Sequence, residues 1–150
     1  MTDTFDADTR SWIMSRVMSR DTRPERAVRK ALKAAGCRFS VRGKGLPGNP
    51  DFVIRDIRLA VFVNGCFWHW HGCLRSRMPA SNREYWKRKI ARNIKRDRRS
   101  KRLLAASGWH YLTVWECRLV PGISRLLGRV RAQASRSADD RFCFGRCAGW

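Results

Sequence analysis

The chain has 150 residues, which suits one domain with a single hydrophobic core. Lys and Arg number 33 against 12 acidic residues, and the formal net charge of +21 favours a polyanionic partner, nucleic acid before a membrane surface. The sequence has no apolar run near the roughly 20 residues that span a bilayer and no signal-peptide pattern, so we expect a cytoplasmic protein without a membrane partner. Six unevenly spaced cysteines favour metal-bound thiolates over disulfides.

Two helices are predicted first. Trp12, Ile13 and Val17 have helical spacing, which predicts a short helix that either packs on the domain or lies as an arm on DNA. The segment from Thr22 to Glu25 matches a capping box with Pro in the first turn, and it predicts a helix that stops at Gly36.

The rest of the chain alternates between strands and helices. A long, highly basic helix capped by Ser81 or Asn82 runs to Gly108, and Ala138 to Trp150 lacks periodicity, which predicts a mobile tail of unknown use. The order predicts an α/β fold in which helices flank a mixed sheet. The predicted strands cover residues 37–41, 51–54, 59–63 and 109–115, and a last basic helix covers 123–134.

The segment from Val63 to Cys73 concentrates thiols, imidazoles and aromatic rings. Cys66, His71 and Cys73 resemble three of the four ligands of a tetrahedral structural zinc site. Cys117 is the preferred fourth ligand, because it follows a strand whose end can return to this loop. The alternatives are a different fourth ligand, or ordinary buried thiols with no metal; the rival ligands are Cys37, His69, Cys143 and Cys147.

Asp51 follows Pro50 at the start of an apolar strand, and Asn64 ends the next strand. An Asp in this position is usually a turn former. A Pro-Asp pair beside polar groups at a neighbouring strand end is also how metal-dependent nucleases hold magnesium. Asp51 is therefore a candidate ligand of a cation that polarises a phosphodiester, and Asn64 could face the same place.

Three further residues have competing interpretations. His69 is either a general base, a residue that hydrogen-bonds a metal ligand, or the fourth zinc ligand. Glu25 fits the capping box, and Asp97 fits an i,i+4 pair with Lys101, although either could face the site.

The aromatic rings and the basic run also have two competing interpretations each. Phe67, Trp68 and Trp86 are either core residues or wedges that enter a base stack, most easily where pairing is defective. The basic run from Lys87 to Arg102 is either a solvated helix face or a surface that also touches phosphates.

These motifs together resemble the very-short-patch-repair (Vsr) mismatch endonucleases. The similarity runs from about Thr9 to Cys117, and its motifs are long and unusual. They are Thr9-Arg10-Ser11, Arg20-Asp21-Thr22, Leu46 to Val53, Gly65 to Cys73, Trp86, Asn93, Arg96-Asp97-Arg98-Arg99, Gly108-Trp109 and Val114 to Cys117.

The resemblance implies a restriction-endonuclease-like α/β fold, in one domain over residues 1–137, with a DNA-clamping arm at 1–20. It implies magnesium-dependent nicking of one strand of duplex DNA next to the T of a T:G mismatch that arises from 5-methylcytosine deamination. We expect a monomer that acts at the bacterial nucleoid and is followed by downstream repair proteins.

By resemblance, each candidate residue also receives a role. Asp51 and the backbone carbonyl of Val63 would hold magnesium, and His69 would be the general base, supported by Glu25 and Asp97. The expected zinc ligands are Cys66, His71, Cys73 and Cys117, and the expected intercalating residues are Phe67, Trp68, Trp86 and, from the arm, Met14.

Asn64 departs from the family pattern, in which this position can be His. Asn can hydrogen-bond a metal-bound water but cannot carry a proton, so we expect weaker activity or a simpler pH dependence. Two rival interpretations remain, a sequence-specific restriction-type nuclease that cuts both strands and a zinc-bearing DNA-binding module without catalysis.

Overall fold

Residues 20 to 143 are described by the computed structural model, without the side chains of residues 134 and 136 to 143. Met14, the short helix predicted around Trp12, and Cys147 lie outside the described residues. No helix in the described part of the chain is long and apolar enough to cross a membrane.

The first described helix, α1, spans Arg23–Ala34 and begins at the predicted capping box. The Thr22 hydroxyl donates to Oε1 of Glu25 at 2.8 Å, and the Asp21 backbone N–H donates to Oε2 at 2.9 Å. The side chain of Thr22 in turn accepts from the Glu25 N–H at 3.5 Å. The exchange satisfies backbone donors that a helix start leaves free, so the capping role predicted for Glu25 is confirmed.

One four-stranded mixed sheet forms the centre of the fold, as predicted. The strands lie in the order β1-β2-β3-β4, with β1 antiparallel to β2, β2 antiparallel to β3, and β3 parallel to β4. Their bounds are Ser40–Val41, Phe52–Ile54, Leu59–Asn64 and His110–Trp115.

This topology determines where the functional residues meet. Because β2 and β3 are antiparallel, the start of β2 lies beside the end of β3. Because β3 and β4 are parallel, the end of β4 lies at that same edge. Asp51, the loop after Asn64, and Cys117 therefore come to one edge of the sheet.

Two long helices complete the domain. The helix α2, Arg83–Ala106, connects β3 to β4, and α3, Leu119–Cys143, follows β4. The core joins α1 and α3 to one face of the sheet. Its buried apolar side chains are Val28, Leu32, Phe52, Ile54, Leu59, Val61, Leu112, Val114 and Leu126.

Three details differ from the predicted elements. The first strand starts at Ser40 because the Cys37 N–H instead donates to the Leu32 carbonyl at 3.1 Å, which closes the end of α1. Asn82 precedes α2 in a left-handed conformation, and its side chain makes no cap hydrogen bond. The last helix starts four residues before Ile123 and extends to Cys143, with Pro121 accommodated in its first turn.

Candidate active site and metal cluster

A cleft of about 890 Å³ opens at the sheet edge where β2 begins and β3 ends. The start of α1 and one face of α2 also line it. It contains all the side chains that the sequence proposed for catalysis, namely Glu25, Asp51, Asn64, His69 and Asp97. Residues that are separated by up to 72 positions in sequence thus share one solvent-accessible concavity.

Asp51 is held at the cleft floor by the neighbouring strand. Its Oδ2 accepts a hydrogen bond from the Val63 backbone N–H at 2.7 Å. Burial raises the pKa of this carboxyl to about 6, and the negative charge of Glu25 adds to the increase. The Val63 hydrogen bond and the nearby His69 oppose that increase. Asp51 is therefore a carboxylate whose charge is costly unless a cation approaches.

The raised pKa of Asp51 predicts that removing its charge stabilises the fold. A carboxyl group whose pKa is about 6 when folded and 3.8 otherwise contributes stability below about pH 4 and loses it as the pH rises through 6. Asp51→Asn should thus raise the melting temperature at pH 7.5, in buffer without magnesium, by roughly 4 °C.

Thermal denaturation at two pH values tests this expectation. The difference between Asp51→Asn and the parent should shrink at pH 5, because protonation then neutralises the parent carboxyl. Asp56→Asn is the matched control, since that carboxylate is exposed and pairs with Arg38 at 3.0 Å. Equal melting temperatures for Asp51→Asn and the parent at pH 7.5 would show that the buried charge of Asp51 does not destabilise the fold.

His69 is oriented by a carboxylate on α2. Its Nδ1 contacts Oδ2 of Asp97, and both side chains are mostly buried. An ionised carboxylate only accepts hydrogen bonds, so Nδ1 carries the proton in the neutral imidazole and Nε2 retains its lone pair. The pairing of Asp97 with Lys101 that spacing allowed is replaced by this contact and by a weaker one to Arg96 Nε at 3.8 Å.

The loop before Asp51 packs closely on α2. Gly48 has φ +81°, and a Cβ there would lie 2.7 Å from the Cβ of Ser100, which side chains do not tolerate. Ser100 lies one helical turn after Asp97 and is buried. Glycine therefore lets the Asp51 loop reach the helix that orients His69.

The four cysteine and histidine residues predicted as zinc ligands form one cluster. The ligand atoms of Cys66, His71, Cys73 and Cys117 all lie within 4.8 Å of one another. Cys117 Sγ is 3.2 Å from Nδ1 of His71. Hydrogen bonding to His71 lowers the pKa of the Cys73 thiol to about 6, whereas burial raises that of Cys66. These four side chains could hold a metal ion, and Cys117 is the fourth member of the cluster.

Two of the rival fourth ligands, His69 and Cys37, are not in this cluster. His69 contacts Asp97 in the cleft, and Cys37 is a half-buried thiol at the end of α1. The side chain of Cys143 is not described. Cys117 joins the cluster because it lies just after β4, where the parallel pairing with β3 returns the chain to the loop.

Sequence reasoning missed the residues that brace the metal loop. The buried Ser76 donates to the Cys66 carbonyl at 3.0 Å and accepts from the Gly72 N–H at 3.1 Å. The His71 ring stacks on Trp115 with centroids 4.4 Å apart. A lone Ser in a polar loop carries no sequence signal of such a role, because only the folded loop brings two backbone groups to its hydroxyl.

An aromatic cluster lies beside the cleft. The Phe67 ring is 5.0 Å from that of Trp68 and 5.3 Å from that of Trp86. Trp86 is buried behind the other two, which are half-buried. Lys89 places its ammonium 5.1 Å from the Trp68 ring centroid. The rings form one packed unit with a cationic edge, and Trp68 also lines the cleft.

The backbone of this cluster is tied to α2 by a second contact that spacing did not predict. The Asn93 amide donates to the Trp68 carbonyl at 3.0 Å. Because the next residue after Trp68 is His69, this bond and the Asp97 contact fix the loop at two adjacent residues. One face of α2 thus positions both the rings and the imidazole.

The chain is similar to known DNA endonucleases. Residues 2–75 match the family model described as DNA mismatch endonuclease Vsr. The type II nicking enzyme V.XorIIP of Xanthomonas oryzae pv. oryzae is 47% identical over 119 residues, covering 79% of this chain and 88% of that protein. DNA mismatch endonuclease Vsr of Escherichia coli K12 is 43% identical over 119 residues, covering 79% and 76%. The type II nicking enzyme V.NmeAIP of Neisseria meningitidis is 39% identical, covering 79% and 85%.

Proposed function

Because the chain belongs to the Vsr family of DNA mismatch endonucleases, we propose that it nicks one strand of duplex DNA next to the T of a T:G mismatch, the product of 5-methylcytosine deamination, by magnesium-dependent hydrolysis. The observation that carries the proposal is the cleft in which Asp51 and an Asp97-oriented His69 lie beside the aromatic cluster. A nuclease that responds to a mismatch must hold its catalytic residues close to the aromatic rings that open the mismatched base step.

The residues around Asp51 fit a magnesium ion. The carboxylate is destabilised by burial and by Glu25, and a divalent cation would relieve both effects.

Extending the register Phe52↔Val61 places Pro50 opposite Val63, and proline has no N–H to donate to the Val63 carbonyl. In a strand the N–H and C=O of one residue point to the same side, so this carbonyl lies on the Asp51 side. Bound there, magnesium would polarise the phosphodiester and stabilise charge on the leaving oxygen.

His69 supplies the base. With Nδ1 held by Asp97, the Nε2 lone pair is available to take the proton from the attacking water. Asp97 stabilises the imidazolium that results and keeps the ring from rotating. Glu25 uses both carboxylate oxygens in the capping box, so we assign it a supporting electrostatic role.

The Cys and His cluster fits zinc at a structural site. A tetrahedral zinc with bonds of about 2.0–2.3 Å separates its ligands by roughly 3.6 Å, close to the arrangement already formed by these four side chains. All four positions are protein ligands, so the ion would hold the loop rather than activate water. Between its first two ligands, Cys66 and His71, the loop carries His69 and two of the proposed intercalating rings, Phe67 and Trp68.

The wider assignments follow from the same proposal. Phe67, Trp68 and Trp86 would enter the stack at the mismatch, and Met14 would clamp the opposite groove. The fold is that of the restriction-endonuclease-like enzymes, and the monomer acts on the bacterial nucleoid in the cytoplasm, where repair proteins complete the process.

The pH dependence of nicking should rise to a plateau. His69 and Asp51 both act in their deprotonated forms, and burial raises the pKa of Asp51 to about 6, so nicking should rise with pH without falling again. At saturating magnesium the Asp51 carboxyl is already ionised and adds nothing further to the rise. Single-turnover nicking between pH 5 and 9 measures this. A bell-shaped profile with two pKa values near neutrality would contradict it, since the buried Asn64 has no proton to lose.

Nicking of matched and mismatched duplexes tests the substrate. Duplexes of one sequence carrying T:G, other mismatches or no mismatch are compared at fixed magnesium. We expect T:G to be nicked in one strand at least about a hundredfold faster than the matched duplex, because unstacking a correctly paired step costs a few kcal/mol more. Comparable cutting of both strands in the matched duplex would instead establish the restriction-type rival.

A further inference from the structure

Trp70 is the exposed ring of the metal loop. It keeps 42% of its surface accessible, although it lies between His69 and His71 and two residues after Trp68. Phe67, Trp68 and Trp86 pack on one another, whereas no ring contact to Trp70 is found within the described residues. The indole therefore stands outside the aromatic cluster, with a large part of its surface open to solvent.

The backbone of Trp70 is also unfavourable for its side chain. Its φ is +49°, a left-handed conformation that bulky residues rarely adopt. Among the described non-glycine residues with positive φ, Asp21, Asn49 and Asn82 are of the types that tolerate it. Turn hydrogen bonds hold Trp70 there, since its N–H donates to the Phe67 carbonyl at 3.4 Å and the His71 N–H donates to the Cys66 carbonyl at 3.0 Å.

Resting on the proposed function, we infer that Trp70 is a DNA-contacting residue, whose indole packs against the sugars and base edges of the duplex immediately beside the nicked phosphate. His69 lines the cleft, whereas Trp70, the next residue, does not, so DNA bound over the cleft would pass Trp70 at its margin. The loop is fixed by the metal ligands and Ser76, so the ring is presented without ordering a flexible segment. Strained, exposed aromatic residues are characteristic of binding sites rather than of structural turns.

Two substitutions separate this contact from a structural role. Trp70→Asn removes the ring and suits the left-handed backbone, whereas Trp70→Phe retains an apolar ring. Anisotropy of a labelled T:G duplex, in buffer without magnesium, measures affinity between 50 and 300 mM salt. Val120→Asn is the matched control, because Val120 is 75% exposed and lies on α3.

The expected result for Trp70→Asn is about tenfold weaker DNA binding with an unchanged salt slope, because the contact is apolar and releases no counterion. Its melting temperature should be equal to or about 2 °C above that of the parent, since the backbone strain is relieved. Trp70→Phe should recover most of the affinity, and Val120→Asn should bind as the parent does.

Unchanged affinity of Trp70→Asn would overturn the inference. A loss of affinity accompanied by a lower melting temperature or a smaller salt slope would also overturn it, because the role would then be structural or electrostatic. Nicking of the T:G duplex by the parent protein is the separate control for the proposed function. If the parent nicks T:G but Trp70→Asn binds normally, only the Trp70 contact fails.

Discussion

Replacing Asp51 with Ala is expected to lower the rate of nicking of a T:G duplex by about a thousandfold or more. Loss of the carboxylate removes the ligand around which magnesium would be held, and a metal contributes several kcal/mol of charge stabilisation to the transition state. Affinity for the duplex should stay within a fewfold of the parent value, since Asp51 opposes rather than attracts phosphate. Single-turnover nicking and anisotropy with the same duplex measure the two quantities.

The control for this substitution is Asp56→Ala. Asp56 is an exposed carboxylate in the 3-10 turn between β2 and β3, and its loss removes the same charge away from the cleft. It should nick at the parent rate. Retained nicking by Asp51→Ala would contradict the role of this carboxylate in holding magnesium. A parent protein that binds the T:G duplex but nicks nothing would instead favour a DNA-binding module without catalysis.

Replacing Cys117 with Ala should cause the largest loss of stability. A structural zinc site contributes about 10–16 kcal/mol of binding free energy that is coupled to folding, so removing one of four ligands should lower the melting temperature by at least about 10 °C. Metal analysis of the purified parent should find one zinc per chain, and Cys117→Ala should lose it. Removing the metal from the parent protein with a chelator should also lower the melting temperature, because the loop then loses its central cross-link.

Cys37→Ala provides a matched thiol outside the cluster. Cys37 is half-buried at the end of α1, and its removal should leave the zinc content unchanged. A Cys117→Ala protein that keeps stoichiometric zinc and the parent melting temperature would show that the cluster is not a structural metal site. Zinc loss from Cys37→Ala would point to a different ligand set.

The spacing of residues predicted the mixed sheet and most of its strands, because alternation and turn residues are local signals. The capping box at Thr22 was equally local, and α1 begins where it predicted. The start of β1 was not predictable in this way, since the Cys37 N–H completes the end of α1 instead of pairing in a strand. That choice depends on a competing backbone acceptor that periodicity does not reveal.

The site was predictable as a set of residues but not as a set of contacts. Cys117 could be preferred as the fourth ligand because parallel strands end at one edge, an argument from topology. The partner of His69 could not be derived, since spacing suggested Lys101 for Asp97 and only the packing of α2 against the loop brings Asp97 to the imidazole. Ser76 had no sequence signal, and the family motifs that include Asn93 and Trp70 do not indicate their contacts, which depend on the folded course of one loop.

The most direct measurement of the central claim is the nicking rate on T:G and matched duplexes as magnesium is titrated from zero. The account predicts that the parent protein, with its Cys and His cluster intact, nicks one strand of the T:G duplex beside the T only when magnesium is present, and leaves the matched duplex almost intact. Nicking that persists without a divalent cation, or that proceeds equally on the matched duplex, would contradict it.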